Sequence, residues 1–389
     1  MIKRELEKKI KKLAAAFPAI AILGPRQSGK TTLAKATFPN YKYITLENLS
    51  NRERAIKNPI EFLNSLKKEK GVILDEIQNV PDLFSYMQEM IDEENKMGFF
   101  ILTGSQNFLL NQSISQTLAG RISIQTLLPL STSELEKANL LPQESLEYLV
   151  KGSYPRLYDT KAKPEDWYNA YIQTYIEKDV RLIKNVTDLS LFQKFIQLCA
   201  GRIGQILNVT SLSNDVGVST TTIKNWLSIL EQSYIIFLLQ PHYKNFSKRL
   251  IKSPKIYFYD TGLAANLLGI ENEGQLITHY LVGGLFESFV ASELLKSFYN
   301  NGKRPRLYFW RDRTGHEVDF IIDKAQNLLR VEVKSTKTIM NNLFDGLKQW
   351  QKISGIEDNN NFLVYRGDED YKRSIGRVIG WKSIKKILK

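Results

Sequence analysis

The chain has 389 residues, 43% of them hydrophobic, with 54 Lys/Arg against 41 Asp/Glu and a formal net charge of +13. That composition argues against disorder, supports about two or three packed domains, and points to a polyanionic partner. Cys199 is the only cysteine, His242, His279 and His316 lie far apart, and no apolar run approaches roughly eighteen residues, so a disulfide, a Cys/His zinc site and a membrane span are excluded.

Residues 1–15 read as a basic helix with Ile2, Leu6, Ile10 and Leu13 on one face. Six Lys/Arg and two Glu in 1–12 give this end +4, and seven Lys/Arg without an acidic residue from Lys372 to Lys389 give the other end +7. Basic ends of this kind are often solvated tails. The N-terminus lacks an apolar signal-peptide core, which predicts a cytoplasmic protein. From 19 to about 130, apolar runs at 19–23, 43–46, 72–74, 99–102 and 122–127 alternate with helical stretches. That alternation predicts a parallel sheet flanked by helices.

Between the first run and a helix over 32–37 stands Gly24-Pro25-Arg26-Gln27-Ser28-Gly29-Lys30-Thr31, a full match to GxxxxGK[ST] in strand–loop–helix context. Glycines let successive N–H groups turn inward around a phosphate chain, and the helix start adds its positive end. Lys30 would reach the outer phosphates and Thr31 would offer its hydroxyl to Mg²⁺, with Thr32 closing the binding stretch. The implied cofactors are ATP and Mg²⁺. The plain alternative is a glycine turn that happens to fit.

Gly71-Val72-Ile73-Leu74-Asp75-Glu76 reads as a strand buried on both faces, ending in two carboxylates where open α/β sheets place ligands. Asp75 would hold Mg²⁺ through its water shell and Glu76 would polarise the attacking water; alternatively the pair opens a turn. The next strand, Phe99-Phe100-Ile101-Leu102-Thr103, ends in Gly104-Ser105-Gln106.

At that strand the chain resembles the AAA+ ATPases. The resemblance implies a polar sensor after the strand that contacts the γ-phosphate and the water, with Ser105 the first candidate and Thr103 the second. It also implies a role for Arg121 in Leu118-Ala119-Gly120-Arg121: an arginine that stabilises the transferring phosphate, usually across a subunit boundary. An ATP-dependent homo-oligomer would follow. A surface or structural arginine is the alternative.

Residues 131–200 read as helices broken at Gly152-Ser153-Tyr154-Pro155. Tyr168, Tyr171, Ile172, Tyr175, Ile176, Asp179 and Val180 fall at helical spacing and read as core packing, although Asp179 and Arg181 could face the nucleotide. Residues 205–260 look like a winged helix-turn-helix. A short helix at 211–215, a turn at Gly217 and a second helix capped by Ser219 would bury Ile223, Trp226, Leu227 and Leu230. Thr221, Thr222, Lys224, Asn225 and Ser228 would face outward, residue types that touch phosphates and base edges. Strands at 234–240 and 255–259 would form the wing, with Lys244, Lys248, Arg249 and Lys252 at its basic tip. DNA contact and mere domain packing both remain open for this module.

Glu317-Val318-Asp319-Phe320-Ile321-Ile322 alternates like a half-buried strand, and Arg330-Val331-Glu332-Val333-Lys334-Ser335 is another. Period two puts Glu332 and Lys334 on one face, Asp319 is available on the neighbouring strand, and a helix around 285–290 can present Glu287 beside them. This D…ExK pattern, in the order helix, three strands, helix, strand, resembles the PD-(D/E)xK nuclease fold. Asp319 and Glu332 would bind one or two Mg²⁺, which lower the pKa of a water and polarise a phosphodiester, while Lys334 positions that water.

Taken whole, the chain resembles a prokaryotic family of AAA+ ATPases with a C-terminal region of unknown function, DUF4143, that ends in a nuclease-like fold. The likeness rests on GPRQSGKTTL at 24–33, LDEIQ at 74–78, LTGSQ at 102–106, LAGR at 118–121, YIEKDVR at 175–181, PKIYFYDTGL at 254–263 and EVDF…VEVK at 317–334. The 257–262 stretch reads as a structural turn. The expected fold class is α/β: an AAA+ P-loop domain over 1–135, a helical region over 136–200, a winged helix over 201–268 and a PD-(D/E)xK nuclease-like domain over 269–389. The expected function is an Mg²⁺-dependent ATPase that binds DNA and couples nucleotide state to the C-terminal centre. An ATP-switched DNA-binding regulator with an inert nuclease fold, and an ATPase acting on protein partners, remain open.

Overall fold

The computed structural model describes residues 2–105, 117–176, 188–242, 252–312, 314–325, 327–356 and 358–388. The chain divides into two compact units. The first comprises Met1–Leu130 with Gln232–Tyr234 and Phe298–Lys303, and the second Ser131–Glu231, Ile235–Ser297 and Arg304–Lys389. Among the described residues no helix is long and apolar enough to cross a membrane.

The first unit is built on a five-stranded sheet in the order β2-β3-β4-β1-β5, with every neighbouring pair parallel. Its strands are β1 (Ala19–Leu23), β2 (Lys42–Thr45), β3 (Val72–Asp75), β4 (Phe100–Gly104) and β5 (Ile122–Thr126). Every residue of β1 is buried. Because successive side chains alternate faces, Ala19, Ala21 and Leu23 join Leu74, Phe84 and Leu102 in one apolar cluster. Ile20 and Ile22 join Leu6, Ile10 and Leu33 in the other. Helices on both faces satisfy the need of a parallel sheet to be covered twice. These include α1 (Glu7–Ala14), α2 (Lys30–Thr37), α3 (Leu49–Lys57), α4 (Pro59–Asn64) and α5 (Leu83–Glu94).

The second unit opens with α6 (Thr132–Lys137), closed by a capping box between Ser131 and Glu134, and continues through α7 (Ser145–Lys151) and α8 (Pro164–Tyr171). Next come α9 (Leu189–Ala200), α10 (Val209–Val216) and α11 (Thr220–Gln232). Gly217 ends α10 at φ 90°, a left-handed conformation that glycine adopts freely. The Ser219 hydroxyl accepts the Thr222 N–H at 3.1 Å and caps the start of α11, which buries Ile223, Trp226, Leu227 and Leu230. Antiparallel β6 (Ile236–Leu239) and β7 (Lys255–Phe258) follow. Then comes α12 (Thr261–Leu267), whose N-cap is Asp260. The Asp260 carboxylate also accepts from Ser153 N–H (2.7 Å), the Ser153 hydroxyl (2.8 Å) and the Tyr168 hydroxyl (2.5 Å), which gives the Asp-Thr-Gly turn a structural role.

The rest of this unit is a six-stranded sheet in the order β12-β13-β11-β10-β9-β8. The strands are β8 (Leu307–Arg311), β9 (Glu317–Asp323), β10 (Leu328–Lys334), β11 (Asn361–Tyr365), β12 (Tyr371–Arg373) and β13 (Gly376–Gly380). β8, β9 and β10 are antiparallel neighbours, whereas β10, β11 and β13 run parallel. Helix α13 (Val282–Asn300) precedes β8 and α14 (Asp345–Ser354) links β10 to β11. The basic C-terminal stretch is not a solvated tail. It contributes β13, then a 3₁₀ segment, Trp381–Leu388, with Trp381, Ile384 and Ile387 buried while its lysines point outward. Trp381 packs on Tyr148 and Phe289. Trp381→Ala should destabilise the second unit by about 3–5 kcal/mol in chemical denaturation, as loss of a buried aromatic does; an unchanged midpoint would mean that this end is not packed.

Candidate functional site

The phosphate-loop sequence leaves β1 at its C-terminal end and enters α2. A Cβ at Gly24 would overlap the Leu127 carbonyl oxygen, so the close approach of the chain after β5 requires glycine there. Gly29 takes φ 91° as the N-cap of α2, a left-handed conformation that turns the backbone into the helix. Gln27, at φ 63°, takes the same region without glycine's freedom, an unusual conformation of the kind that gathers at binding sites. Lys30 is buried and its Nζ donates to the Gly24 and Pro25 carbonyls at 3.0 and 2.7 Å. Ser28 is fully buried and its hydroxyl has no hydrogen-bond partner among the described residues. The Ser28 carbonyl accepts from the Arg4 guanidinium at 2.7 Å, and Arg4 also donates to Leu128 O at 2.6 Å. Arg26 and Gln27 are half-buried, and Thr32 is exposed in the first turn of α2.

Asp75, the last residue of β3, gathers three hydroxyls. Thr31 donates to Oδ1 at 2.9 Å, Tyr43 to Oδ2 at 2.8 Å, and Thr103 also bonds Oδ1. Burial, then the hydrogen bond to Asp75, pushes the Tyr43 hydroxyl up to about 12, so it stays a donor at neutral pH. Glu76 adopts φ 56°. Its carboxylate accepts from the Gln78 amide, and from the Ser105 hydroxyl at 3.3 Å. The predicted Lys30, Thr31, Asp75, Glu76 and Ser105 therefore meet at one edge of the sheet, and the second-choice Thr103 touches Asp75 directly. These groups fit a nucleotide with Mg²⁺: a turned glycine loop, a lysine beside it, and a hydroxyl–carboxylate pair at the helix start.

Arg121 is not part of this edge within its own chain. It precedes β5, its carbonyl accepts the Ala19 N–H at the opposite end of β1, and its guanidinium pairs with Asp92 of α5 at 2.6 Å. About five strand residues, roughly 16 Å at the strand rise, separate that end from the loop. Three contributors escaped sequence reading. Gln78 lay inside the quoted LDEIQ stretch, Arg4 was counted among the terminal basic residues, and Tyr43 had no signal beyond its strand.

The second unit brings Glu287 of α13, Asp319 of β9, and Glu332 and Lys334 of β10 together. Strand alternation sends Glu317 and Asp319 to one face while Val318 and Phe320 are buried on the other. Asp319 Oδ2 accepts the Val333 N–H at 2.7 Å, and Lys334 Nζ donates to Glu332 Oε1 at 2.6 Å. Glu332 Oε2 is buried without a partner among the described residues. Arg330, buried two residues earlier, donates to Asn361 Oδ1 at 2.7 Å and lies 4.7 Å from the Trp350 ring centre, which ties β10 to β11.

Among the described residues, the carboxylates grouped tightly enough to share a cation are Glu287, Glu317 and Asp319, with oxygens within 4.8 Å of one another. Glu317, which the sequence pattern did not single out, joins this group, and Glu332, expected beside Asp319, pairs with Lys334. Two side chains of β7 also enter. Lys255 Nζ donates to Glu287 Oε1 at 2.9 Å and pairs with Glu317, and the Tyr257 hydroxyl donates to Glu287. Burial, then Glu332 and Glu287, push Asp319 well above the usual carboxylate range, although Lys255 and Lys334 pull it back. Burial also raises Glu332, against the pull of Lys334. The oxygen donors suit a hard divalent cation, and Glu332 Oε2 is a spare acceptor.

On α11, Thr221, Lys224, Asn225 and Ser228 are exposed as predicted, and Thr222 is half-buried. Lys244, Lys248 and Arg249 of the expected basic tip, and Asp179 and Arg181, lie outside the described residues.

Residues 16–136 match the family model of an AAA domain, residues 143–274 a domain of unknown function (DUF8612), and residues 282–384 a domain of unknown function (DUF4143). The chain thus carries an AAA-type P-loop ATPase domain and a C-terminal DUF4143 domain. It is similar to an uncharacterised protein of Mycobacterium tuberculosis, 27% identical over 341 residues that cover 86% of this chain and 74% of that one. An uncharacterised protein of Methanocaldococcus jannaschii is 26% identical over 353 residues, covering 77% and 70%. A Walker-type ATPase of Pyrococcus abyssi superposes in part, with 14% identity, 69% of this chain and 96% of that one covered, and a TM-score of 0.44. The RuvB Holliday junction branch migration motor of Thermotoga maritima gives 19% identity, 60% and 88% coverage, and a TM-score of 0.31.

Tyr43 positions Asp75 from behind. Tyr43→Phe should leave the fold intact and raise the Mg²⁺ concentration for half-maximal ATP hydrolysis about tenfold, the lower range for losing a residue that orients a metal ligand. An unchanged Mg²⁺ dependence would show that Thr31 and Thr103 hold Asp75 without it.

Proposed function

We propose that the chain is an Mg²⁺-dependent ATPase that engages DNA and uses its nucleotide state to govern a C-terminal phosphodiester-cleaving centre. The carrying observation is the Thr31–Asp75 hydrogen bond with Glu76 next in the chain, at the edge where the glycine loop leaves the sheet. The backbone of residues 24–31 would wrap the phosphates. Lys30 would exchange its bonds to the Gly24 and Pro25 carbonyls for the outer phosphates. Thr31 and Asp75 would hold Mg²⁺, which offsets charge on the phosphate oxygens. Glu76, steadied by Gln78 and Ser105, would orient the attacking water. Arg121 would act only in trans, in a homo-oligomer.

DNA engagement is supported by the exposed polar residues of α11 and by the net charge of +13. In this reading α10 and α11 are a winged-helix module and α11 its recognition helix. The DUF4143 region is read as a PD-(D/E)xK-type fold, with Glu287, Glu317 and Asp319 holding Mg²⁺, and Glu332 and Lys334 beside the reacting water. A second reading has its own observation. Lys255 already bonds Glu287 and Glu317, as it would in an ATP-switched, cytoplasmic DNA-binding regulator whose acidic centre is inert.

Lys30→Ala should lower ATP turnover by at least roughly 10²-fold, the scale of losing one transition-state charge stabiliser. Parental turnover in that variant would remove the nucleotide assignment. DNA affinity should fall with added salt, and Lys224→Ala should reduce the slope of log K against log salt by about 1. A flat salt response would favour an ATPase acting on protein partners. Supercoiled, linear, branched and single-stranded DNA incubated with Mg²⁺ or Mn²⁺ separates the two readings of the acidic centre: cleavage lost on Asp319→Ala supports the nuclease, and binding without cleavage supports the regulator.

A further inference from the structure

We propose that Lys255 is the resident cation of the acidic centre, and that its ammonium must leave before Glu287, Glu317 and Asp319 can hold a divalent ion. The inference deepens the reading of these carboxylates as a metal centre and rests on it.

Lys255 belongs to the 254–263 stretch, for which the ATPase and nuclease chemistry has no use. Its side chain is buried and its Nζ lies 2.9 Å from Glu287 Oε1, bonded also to Glu317, with the Phe309 ring centre 5.7 Å away. Oxygens of Glu287, Glu317 and Asp319 lie within 4.8 Å of one another. Bonds of about 2.0–2.1 Å to Mg²⁺ place its oxygen ligands about 3–4 Å apart. An ammonium with hydrogen bonds of about 2.7–2.9 Å spaces its acceptors roughly 4.5 Å apart. The lysine bonds two of the three carboxylates that would have to close on a divalent ion.

The backbone holds the lysine there. Lys255 pairs with Leu239 of β6 on one side and bridges Ile206 on the other. Pro254 O accepts Leu207 N–H at 2.8 Å and Ile256 O accepts Gly204 N–H at 2.8 Å. Tyr257, two residues on and therefore on the same face of β7, adds its hydroxyl to Glu287. Release requires the lysine side chain to swing out or β7 to shift. The charge left behind would favour a metal, because Glu287 would lose its ion pair while Glu317 kept only Arg311 and Glu332 only Lys334 among the described residues. A displacement of β7 would in this way unlock the centre.

The test is Mn²⁺ binding to nucleotide-free protein, read by electron paramagnetic resonance and by the Mn²⁺-dependent rise in melting temperature. The full-length chain carries Lys30→Ala to silence the loop. The parent should bind Mn²⁺ weakly. Lys255→Gln should bind at least about tenfold more tightly, a change of about 1.4 kcal/mol, and adding Asp319→Asn should remove the gain. Lys255→Met, which keeps the methylene stem, serves if Lys255→Gln folds poorly; recovery of either variant by Mn²⁺ would also support the proposal. Equal affinity in parent and variant overturns the inference and leaves the metal centre standing. No binding in any form, or misfolded variants that Mn²⁺ does not rescue, overturns both. Gain of Mn²⁺ without DNA cleavage by Lys255→Gln sinks the cleavage reading and leaves the inference intact.

Discussion

A carboxylate withdrawn from water must be answered by donors or by a cation, and each functional region of this chain is a solution to that requirement. In the first unit Asp75 is answered by neutral hydroxyls from Thr31, Tyr43 and Thr103. Those hydroxyls come from α2, β2 and β4, so one side chain ties the loop helix to two strands beside β3. Neutral donors leave the carboxylate its full charge, which is what a cation-binding group needs.

The second unit meets the same requirement with charge. Lys255, Arg311 and Lys334 stand against Glu287, Glu317, Asp319 and Glu332. Burial, then the charges of Glu332 and Glu287, hold the Asp319 carboxyl above its usual range against the pull of Lys255 and Lys334. Hydroxyl donors can keep their bonds when a metal arrives. An ammonium bonded to Glu287 and Glu317 would have to leave them first.

Legibility followed distance along the chain. The loop at 24–31 is contiguous, so its residue types and its left-handed Gly29 could be read together. The β1, β3 and β4 runs were visible because strands buried on both faces are almost wholly apolar. The C-terminal strands were harder. β13 carries Arg377 between buried positions, and the lysines of 381–388 masked Trp381, Ile384 and Ile387, so an amphipathic, packed end resembled a solvated one. Arg4 was obscured in the same way. It sits in a basic cluster, yet it alone of those residues is buried, spanning the Ser28 and Leu128 carbonyls.

The sequence by itself determined the chemistry on offer: a glycine loop with its lysine and threonine, an Asp-Glu strand end, and a D…ExK pair of strands, because each depends on spacing within a few residues. Only the tertiary structure decided what those groups touch. It put Tyr43 on Asp75, aligned Arg121 with the opposite end of β1, brought Glu317 to Glu287 and Asp319, and set Lys255 against Glu287 and Glu317. These partners lie up to about a hundred residues apart in the chain (Ala19 and Arg121). Strand order and register, which no local pattern encodes, are what bring them within bonding distance.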